Sequence, residues 1–458
     1  MRVIICGAGQ VGWQIAEYLA REGNKVTIID TDAELVRRAT EILDVQGVVG
    51  FASHPDVLDE AGAADADMII AATWSDEVNM ICCQIAASTF DVTRRIARIG
   101  AQSYLDKRYA EGPGTERLAI DAIISPEREV ANAVLQRLAA PATFDVEVFM
   151  GGGAQLLGIQ LGETCPVLNT PLKQLNELFP TLRAIVVGIR REKKLFAPAA
   201  ADQLLVGDQI YVFAHSDDLT RCLEIFGKQA GKQERVVIVG GGNVGLTVAR
   251  ALEARATRIS TRIIERNRQV AEHAADRLDR TIVLNGDGMD TELLAEVGVE
   301  RADAMIAVTN DDRTNLLVAV RAKQAGCPLV IALVSDPTLI SLIVPLNIDA
   351  YINPRATTVS SILRHVRHGR VRGVYSVGDG EAEVIEAQVL STSPLAGQLI
   401  RDIAFPEGVL VGAVMKGSQV MKPEAETQIE AGDIVALFAI SKDVPEVERL
   451  LQVSVDFF

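Results

Sequence analysis

The chain repeats one sequence module, and this repetition limits the folds that it can adopt. The segment VIICGAGQVG at residues 3–12 returns as VVIVGGGNVG at residues 236–245, with six of ten residues identical at an offset of 233. The similarity continues downstream, where LDEAGAADADMIIAATWSDEVNM from Leu58 parallels LAEVGVERADAMIAVTNDDRTNL from Leu294. Repeats of roughly 230 residues are too long for solenoid units. We therefore expect two copies of a domain pair.

The first part of each copy alternates short apolar runs with amphipathic segments. Strands are predicted in the first copy at Val3–Cys6, Lys25–Ile29, Val45–Val49, Met68–Ala72, Ile96–Ile99 and Ala122–Ile124. Apolar runs of this length, separated by amphipathic helices, are typical of a doubly wound parallel sheet. The predicted fold class is thus α/β, with a Rossmann-like sheet in each repeat. Such sheets bind ligands beyond the carboxyl ends of their strands.

The second part of each copy contains short β-rich runs and Gly-Asp turns around one short helix. This pattern predicts a small α+β C-lobe after each Rossmann-like N-lobe. Linkers are predicted at 139–141 and 229–233. The predicted domains are N-lobe 1 at 1–140, C-lobe 1 at 141–230, N-lobe 2 at 231–370 and C-lobe 2 at 371–458.

Three glycines follow the first predicted strand in the spacing G-x-G-x-x-G. Gly7 permits a tight turn, Gly9 lets a pyrophosphate approach the backbone, and Gly12 lets the helix pack closely on the sheet. The helix N-terminus then offers free N–H groups to the phosphates. Asp30, 18 residues after Gly12, is placed to accept hydrogen bonds from a ribose diol. Because an acid repels a 2′-phosphate, NAD(H) or an adenine nucleotide is favoured over NADP(H), and Thr73 is expected beside the same crevice.

The second copy carries equivalent residues, Gly240, Gly242, Gly245 and Glu265, with Thr309 as the counterpart of Thr73. In both copies the alternative is a glycine turn that packs the fold around an empty crevice. Arg266 and Arg268, which follow the second acid, either turn toward a phosphate or stay solvated.

Composition limits the partners of the chain. The formal net charge of −16 over 458 residues argues against general binding to nucleic acid and to an anionic membrane surface. No run of about 18 uncharged apolar residues is present to span a bilayer, and no signal peptide is expected because Val3–Cys6 already forms a strand. The six cysteines contain no C-x-x-C pair, which is typical of reduced, buried thiols in a cytosolic protein. Localisation at a membrane would therefore require a protein partner.

The order of motifs resembles the TrkA family. A lobe opening VIICGAGQVG, an SHPDVLDEAGAADADMIIAAT segment, an IARIG strand, DAIISPE before a crossover helix and a small β-rich tail all occur in sequence and are repeated across essentially the whole chain. Members of this family are cytosolic regulatory subunits of bacterial Trk potassium uptake systems, built of tandem RCK domains.

The resemblance implies a regulatory function with specific ligands and partners. It implies control by NAD(H) and by ATP or ADP, and four chains in a ring of eight RCK domains. It also implies a place on the cytoplasmic face of the inner membrane, beneath a potassium-translocating subunit of the TrkH or TrkG type. The implied dinucleotide-binding positions are Gly7, Ala8, Gly9, Gln10, Val11, Gly12, Asp30, Thr73, Arg98, Gly240, Gly242, Asn243, Val244, Gly245, Glu265 and Thr309. Arg98 either reaches the phosphates or forms a surface ion pair.

One departure concerns the end of the third strand. Family members often carry a small polar pair there, whereas this chain has Val49-Gly50-Phe51. The second copy keeps Asn285-Gly286-Asp287. The residues that would contact an adenine ring in the first copy are therefore not predicted.

The main alternative is an NAD-dependent oxidoreductase, because the same glycine pattern opens many dehydrogenases. A dehydrogenase needs a proton relay that faces the nicotinamide. The five histidines have no counterparts in the other repeat, and the C-lobes are short for catalytic domains. A metal or redox site at Cys82 and Cys83 is disfavoured because adjacent helical residues point about 100° apart. We expect no catalytic residue and no metal site.

Overall fold

Two parallel and two antiparallel β-sheets form the framework of the chain in a computed structural model. The structure describes residues 1–21, 23–105, 118–140, 143–192, 194–228, 234–255, 259–343, 345–366, 371–378 and 380–451. The predicted linker at 229–233 and residue 141 of the one at 139–141 lie outside these residues. The predicted lobe boundaries stay predictions. The division into two Rossmann-like sheets, each followed by an antiparallel C-lobe, confirms the predicted fold class.

N-lobe 1 contains a six-stranded parallel sheet in the order β3-β2-β1-β4-β5-β6. Its strands are β1 Arg2–Cys6, β2 Lys25–Asp30, β3 Gln46–Val49, β4 Met68–Ala71, β5 Arg94–Arg98 and β6 Ala122–Ile124. Its helices are α1 Gln10–Arg21, α2 Ala33–Ile42, α3 Pro55–Glu60, α4 Asp76–Phe90, α5 Gln102–Leu105 and the crossover helix α6 Pro126–Ala139. The order reverses between β1 and β4, which places a crevice at the carboxyl ends of these two strands.

C-lobe 1 forms a five-stranded sheet in the order β10-β9-β11-β8-β7. Its elements are β7 Asp145–Phe149, β8 Ala154–Gln160, α7 Leu172–Leu178, β9 Ala184–Arg191, β10 Lys194–Phe196, β11 Gln209–His215 and α8 Leu219–Ile225. The prediction of a single short helix is wrong for this lobe. Helix α8 buries Cys222 and Leu223 in the lobe core, and α7 packs the partly buried Leu172 and Leu175 against it. Packing against the core therefore stabilises both segments as helices.

N-lobe 2 repeats the parallel sheet in the order β14-β13-β12-β15-β16-β17. Its strands are β12 Arg235–Val239, β13 Ser260–Glu265, β14 Ile282–Asn285, β15 Ala304–Ala307, β16 Leu329–Leu333 and β17 Ala350–Ile352. Its helices are α9 Asn243–Arg255, α10 Arg268–Ala275, α11 Thr291–Glu296, α12 Asp312–Gln324, α13 Pro337–Ile340 and α14 Pro354–Val366.

C-lobe 2 has the sheet order β18-β19-β22-β20-β21. Its elements are β18 Val371–Val377, β19 Ala382–Gln388, β20 Val409–Lys416, β21 Gln419–Met421, β22 Ile434–Ile440 and α15 Val444–Leu451. None of the helices within the described ranges is long and apolar enough to cross a bilayer.

The four lobes group by type into two compact units. One unit contains residues 1–134 and 234–366, and the other contains 135–233 and 367–458. In the first unit, helix α14 of the second repeat packs on the first N-lobe. Val359, Ile362 and Val366 are buried in the same core as Ile5 and Ile15. The crossover helix of one repeat therefore completes the hydrophobic core of the other.

The two C-lobes make an equally close contact in the second unit. Gly412 lies directly against the ring of Phe213, and a Cβ on Gly188 would lie 2.9 Å from the ring of Phe438. Each lobe thus presents a phenylalanine to a glycine on a strand of the other, and only a residue without a side chain leaves room for the ring.

A partly buried polar pair also joins the C-lobes. The Tyr375 hydroxyl donates to Asp145 Oδ1 at 2.6 Å. Burial raises the pKa of Asp145, and burial together with this carboxylate raises the pKa of Tyr375. At neutral pH the tyrosine is therefore the proton donor of the pair.

We expect Ile362→Ala to destabilise the chain by about 2–5 kcal/mol, because it opens a cavity where α14 meets the first N-lobe. Denaturant-induced unfolding of the full chain measures the change. Ser360→Ala, an exposed position on the same helix, should change stability by no more than about 0.5 kcal/mol. Equal unfolding midpoints for the two variants would contradict the packing of α14 described above.

Candidate functional site

The glycine loop after β1 combines two sterically required glycines with one that faces open space. Gly7 has φ +107°, a region that favours glycine. A Cβ on Gly12 would overlap the carbonyl oxygen of Gly7, so α1 approaches the loop as closely as its backbone allows. A Cβ on Gly9, in contrast, would meet nothing within 4 Å. Neither packing nor φ requires glycine at position 9, and the space beside it is open to a ligand.

The second repeat has the same arrangement. Gly240 has φ +112°, and a Cβ on Gly245 would overlap the Gly240 carbonyl oxygen. A Cβ on Gly242 would meet nothing within 4 Å. Two independent loops of one chain thus leave the middle glycine beside open space.

Helices α1 and α9 begin immediately after the middle glycine of each loop. Gln10 and Asn243 are the first residues of these helices, and their side chains are exposed. Val11 and Val244 follow and are half-buried. The first N–H groups of a helix lack intrahelical acceptors and carry the positive end of the helix dipole. Each loop therefore presents a helix N-terminus, whose N–H groups and dipole suit an anion, to its open space.

The predicted ribose acid has a further contact that the sequence did not indicate. Asp30 Oδ2 accepts a hydrogen bond from the Ala8 amide at 2.6 Å, and Oδ1 accepts one from the Asp32 amide at 2.9 Å. A carboxylate has about four lone-pair sites, so acceptor capacity remains for a ligand. The carboxylate of Asp30 therefore fixes the glycine loop in addition to facing the crevice.

Glu265 makes the same two contacts in the second repeat. Its Oε2 accepts from the Gly241 amide at 2.7 Å and its Oε1 accepts from the Asn267 amide at 2.7 Å. The longer glutamate thus reaches the loop in the place of aspartate.

A fully buried asparagine holds Thr73 at the edge of the first crevice. Asn79 Oδ1 accepts from the Thr73 amide at 2.9 Å and from the Thr73 hydroxyl at 2.7 Å. Its Nδ2 donates to the carbonyls of Thr73 at 3.2 Å and Arg98 at 2.8 Å. All four hydrogen-bonding positions of the amide are used. Asn79 therefore joins the ends of β4 and β5 through helix α4.

Asn315 repeats this clamp in N-lobe 2. Its Oδ1 accepts from the amide and hydroxyl of Thr309, and its Nδ2 donates to the carbonyls of Thr309 at 3.0 Å and Leu333 at 2.9 Å. Sequence reasoning missed both asparagines. A signal was present, because both occupy the same place in the two parallel segments and each is followed by a run of apolar residues.

Arg98 lies at the end of β5 and turns toward the loop after β4. Its guanidinium donates to the Thr73 carbonyl at 3.0 Å and lies over the ring of Trp74 at 5.3 Å from the centroid. It therefore lies beside Thr73, on the β4 side of the crevice.

The thiols are buried. The sulfur atoms of Cys6 and Cys82 lie 3.3 Å apart. Burial raises the pKa of the Cys83 thiol, which lowers its reactivity. Within the described ranges, no group of three or more metal-ligating side chains could hold a metal ion.

We expect Gly12→Ala to destabilise the chain by about 3 kcal/mol, because the new methyl group displaces the Gly7 carbonyl. Gly9→Ala, in open space at a φ that alanine adopts, should change stability by about 1 kcal/mol or less. Thermal unfolding of both variants measures the difference. If Gly9→Ala proved the more destabilising, the close helix–loop contact would be refuted.

The sequence matches known domains in both repeats. Residues 3–126 and 236–354 match the TrkA-N domain, and residues 156–227 and 384–452 match the TrkA-C domain. A Trk system potassium uptake protein TrkA from Azorhizobium caulinodans is 47% identical over 100% of both chains. One from Halomonas elongata is 37% identical, again over 100% of both.

Solved structures show the same fold at low identity. The GsuK channel bound to NAD aligns with a TM-score of 0.59 and 16% identity, covering 98% of this chain and 78% of that chain. The GsuK RCK domain aligns with a TM-score of 0.57 and 16% identity, covering 98% and 94%. Since the domain matches cover most of the sequence and the relatives align over their full length, the chain belongs to the TrkA family of Trk system potassium uptake proteins.

Proposed function

We propose that the chain is a peripheral regulatory subunit that gates a membrane-embedded potassium-translocating subunit, of the TrkH or TrkG type, in response to NAD(H) and to ATP or ADP. The observation that carries this proposal is the duplicated crevice, in which an open glycine, a helix N-terminus and an acid recur within a family of potassium uptake proteins. Its place is the cytoplasmic face of the inner membrane, through its partner.

Several features support a nucleotide ligand. The space beside Gly9 adjoins the N-terminus of α1, which suits a pyrophosphate. Asp30 lies at the end of β2 with acceptor capacity left for a ribose diol. A related fold, the GsuK channel, has been solved bound to NAD. The second crevice, with Gly242 and Glu265, is proposed to take a nucleotide in the same way.

The positions of the described histidines favour a regulatory nucleotide site over the active site of a dehydrogenase. A dehydrogenase places a proton relay against the nicotinamide. His54 follows β3, on the adenosine side of the sheet, where it contacts the ring of Phe51. His215 lies in C-lobe 1, while His273 and His365 lie on helices α10 and α14. The remaining histidine, His368, lies outside the described residues. No described histidine follows β4 or β5, where a nicotinamide would be expected.

The first unit supplies a route by which binding could be transmitted. Helix α1 begins at the proposed phosphate site, and its residues share a core with helix α14. The chain continues from α14 toward C-lobe 2. A nucleotide that favours one position of α1 would therefore bias α14, and a ligand shifts a conformational equilibrium only through such a differential affinity.

Matched apolar surfaces support self-association. Ile81 on α4 and Leu317 on α12 are exposed at corresponding positions of the two N-lobes. Ile123 on β6 and Tyr351 on β17 form a second exposed pair. Exposed apolar residues repeated on two similar lobes suit contacts between similar lobes of other chains. We propose a tetramer in which eight RCK domains form a closed ring.

Asp30→Ala should weaken NADH binding to N-lobe 1 about ten- to a hundredfold. It removes a charged hydrogen-bond acceptor worth about 1.5–3 kcal/mol, and it frees the Ala8 amide that fixes the loop. Calorimetric titration of the full chain measures the affinity. Asp59→Ala, which removes an exposed acid from the same lobe, is the control and should leave binding unchanged. NADH affinity that survives Asp30→Ala would refute the assignment of this acid.

Potassium flux should respond to nucleotide only when the crevices are intact. Vesicles that contain the translocating subunit and this chain should change their flux on addition of NADH, ATP or ADP. Gly9→Asp and Gly242→Asp should blunt that response, because each puts a negative charge beside the phosphate site. Size-exclusion chromatography is the control for assembly of the variants.

Two outcomes would overturn the proposed function. Flux that is indifferent to the chain and to all three nucleotides would exclude regulation. Steady oxidation of NADH coupled to a defined metabolite, and abolished by Gly9→Asp, would instead identify an oxidoreductase.

A further inference from the structure

Trp74 is an exposed indole at the edge of the first crevice. Its relative exposure is 90%, and it lies in the loop that follows the buried strand β4. Singly exposed apolar residues are common on protein surfaces. Trp74 differs from the others in its place beside Thr73 and Arg98, at the edge of the crevice.

The backbone on both sides of Trp74 is fixed. Thr73 is held by the buried amide of Asn79, and the Ser75 amide donates to the Thr73 hydroxyl at 3.3 Å. Ser75 caps helix α4 by accepting from the Val78 amide. The guanidinium of Arg98 lies over one side of the indole, 5.3 Å from the ring centroid, and leaves most of the ring exposed. Trp74 thus has a fixed backbone, a cation on one side of its ring and an open face on the other.

The place of Trp74 in the loop after β4 determines which part of a bound dinucleotide it would contact. In a sheet of this order, a dinucleotide lies across the point between β1 and β4 where the strand order reverses. Asp30 on β2 takes the adenosine ribose under the proposed function, on which this inference rests. The loop after β4 is on the other side of the reversal, where the nicotinamide half would lie.

The second repeat lacks both components of this arrangement. The residue after Thr309 is Asn310, and β16 ends in Leu333 instead of an arginine. An aromatic ring with a cation behind it is therefore specific to the first crevice. The two crevices share their phosphate and ribose chemistry but differ where a second ring would bind.

We propose that the open face of the Trp74 indole stacks on the nicotinamide ring and makes the first crevice selective for a dinucleotide over ligands that lack this ring. Stacking covers apolar area that is otherwise in water, and aromatic stacking on a nucleotide base is worth roughly 1–3 kcal/mol by alanine substitution. The second crevice, with Asn310 in this place, makes no such distinction.

Fluorescence of a chain carrying Trp13→Phe tests the stacking directly. The sequence has two tryptophans, so Trp74 is then the sole indole. NAD⁺ and ADP-ribose share the adenosine diphosphate and ribose, but only NAD⁺ has the nicotinamide. We expect NAD⁺ to protect Trp74 from acrylamide quenching, whereas ADP-ribose binds without protecting it.

Calorimetry supplies the affinities. In a chain with Gly242→Asp, which blocks the second crevice, Trp74→Ala should weaken NAD⁺ binding about tenfold or more and leave ADP-ribose unchanged. Trp74→Phe should keep most of the NAD⁺ affinity. Asn310→Ala, the equivalent position of the other repeat, should change neither.

The outcomes separate this inference from the proposed function. If NAD⁺ and ADP-ribose bind but Trp74 stays accessible in both, the stacking is refuted and the nucleotide site remains. If neither ligand binds the first crevice, the inference and the nucleotide part of the proposed function fail together. A third outcome is that protection of Trp74 from acrylamide quenching rises with protein concentration and is independent of NAD⁺. That result would assign Trp74 to a contact between chains and would also overturn the inference.

Discussion

The close contact between helix α1 and its own preceding loop is the constraint on which the first N-lobe depends. Gly12 lies against the Gly7 carbonyl oxygen, with no room for a Cβ. This contact sets the helix N-terminus over the end of β1, beside the space at Gly9. Gly245 and Gly240 impose it again in the second repeat. Both repeats keep the two sterically required glycines and also the middle glycine, which packing does not require.

Two polar networks then fix the edges of each crevice. The acid at the end of the second strand holds the glycine loop, and the asparagine on the fourth helix holds the threonine after the fourth strand. Every hydrogen-bonding position of Asn79 is used, so its burial costs little. Rigid edges of this kind pre-organise a site, because less conformational entropy is lost when a ligand binds.

Helix α14 couples the two repeats. Two N-lobes without a shared core would move independently of each other. Here the crossover helix of the second repeat fills the core of the first, and the two C-lobes interlock through Phe213 and Phe438. We therefore expect a displacement of the glycine loop before α1 to displace α14, which belongs to the other repeat, since close-packed cores transmit strain.

The sequence by itself determined the α/β class, the duplication, the positions of the strands and the glycine–acid pattern. These follow from local periodicity and spacing, which any strand–turn–helix of this type must satisfy. Only the tertiary structure decided that α14 completes the other lobe, that Asn79 and Asn315 clamp the crevices, and that C-lobe 1 has two helices. Such contacts join residues far apart in the chain, and burial selects them without leaving a periodic signal. Trp74 shows the same division, because its place after β4 is readable from the sequence, whereas its exposure and its contact with Arg98 arise only when β4 and β5 lie side by side.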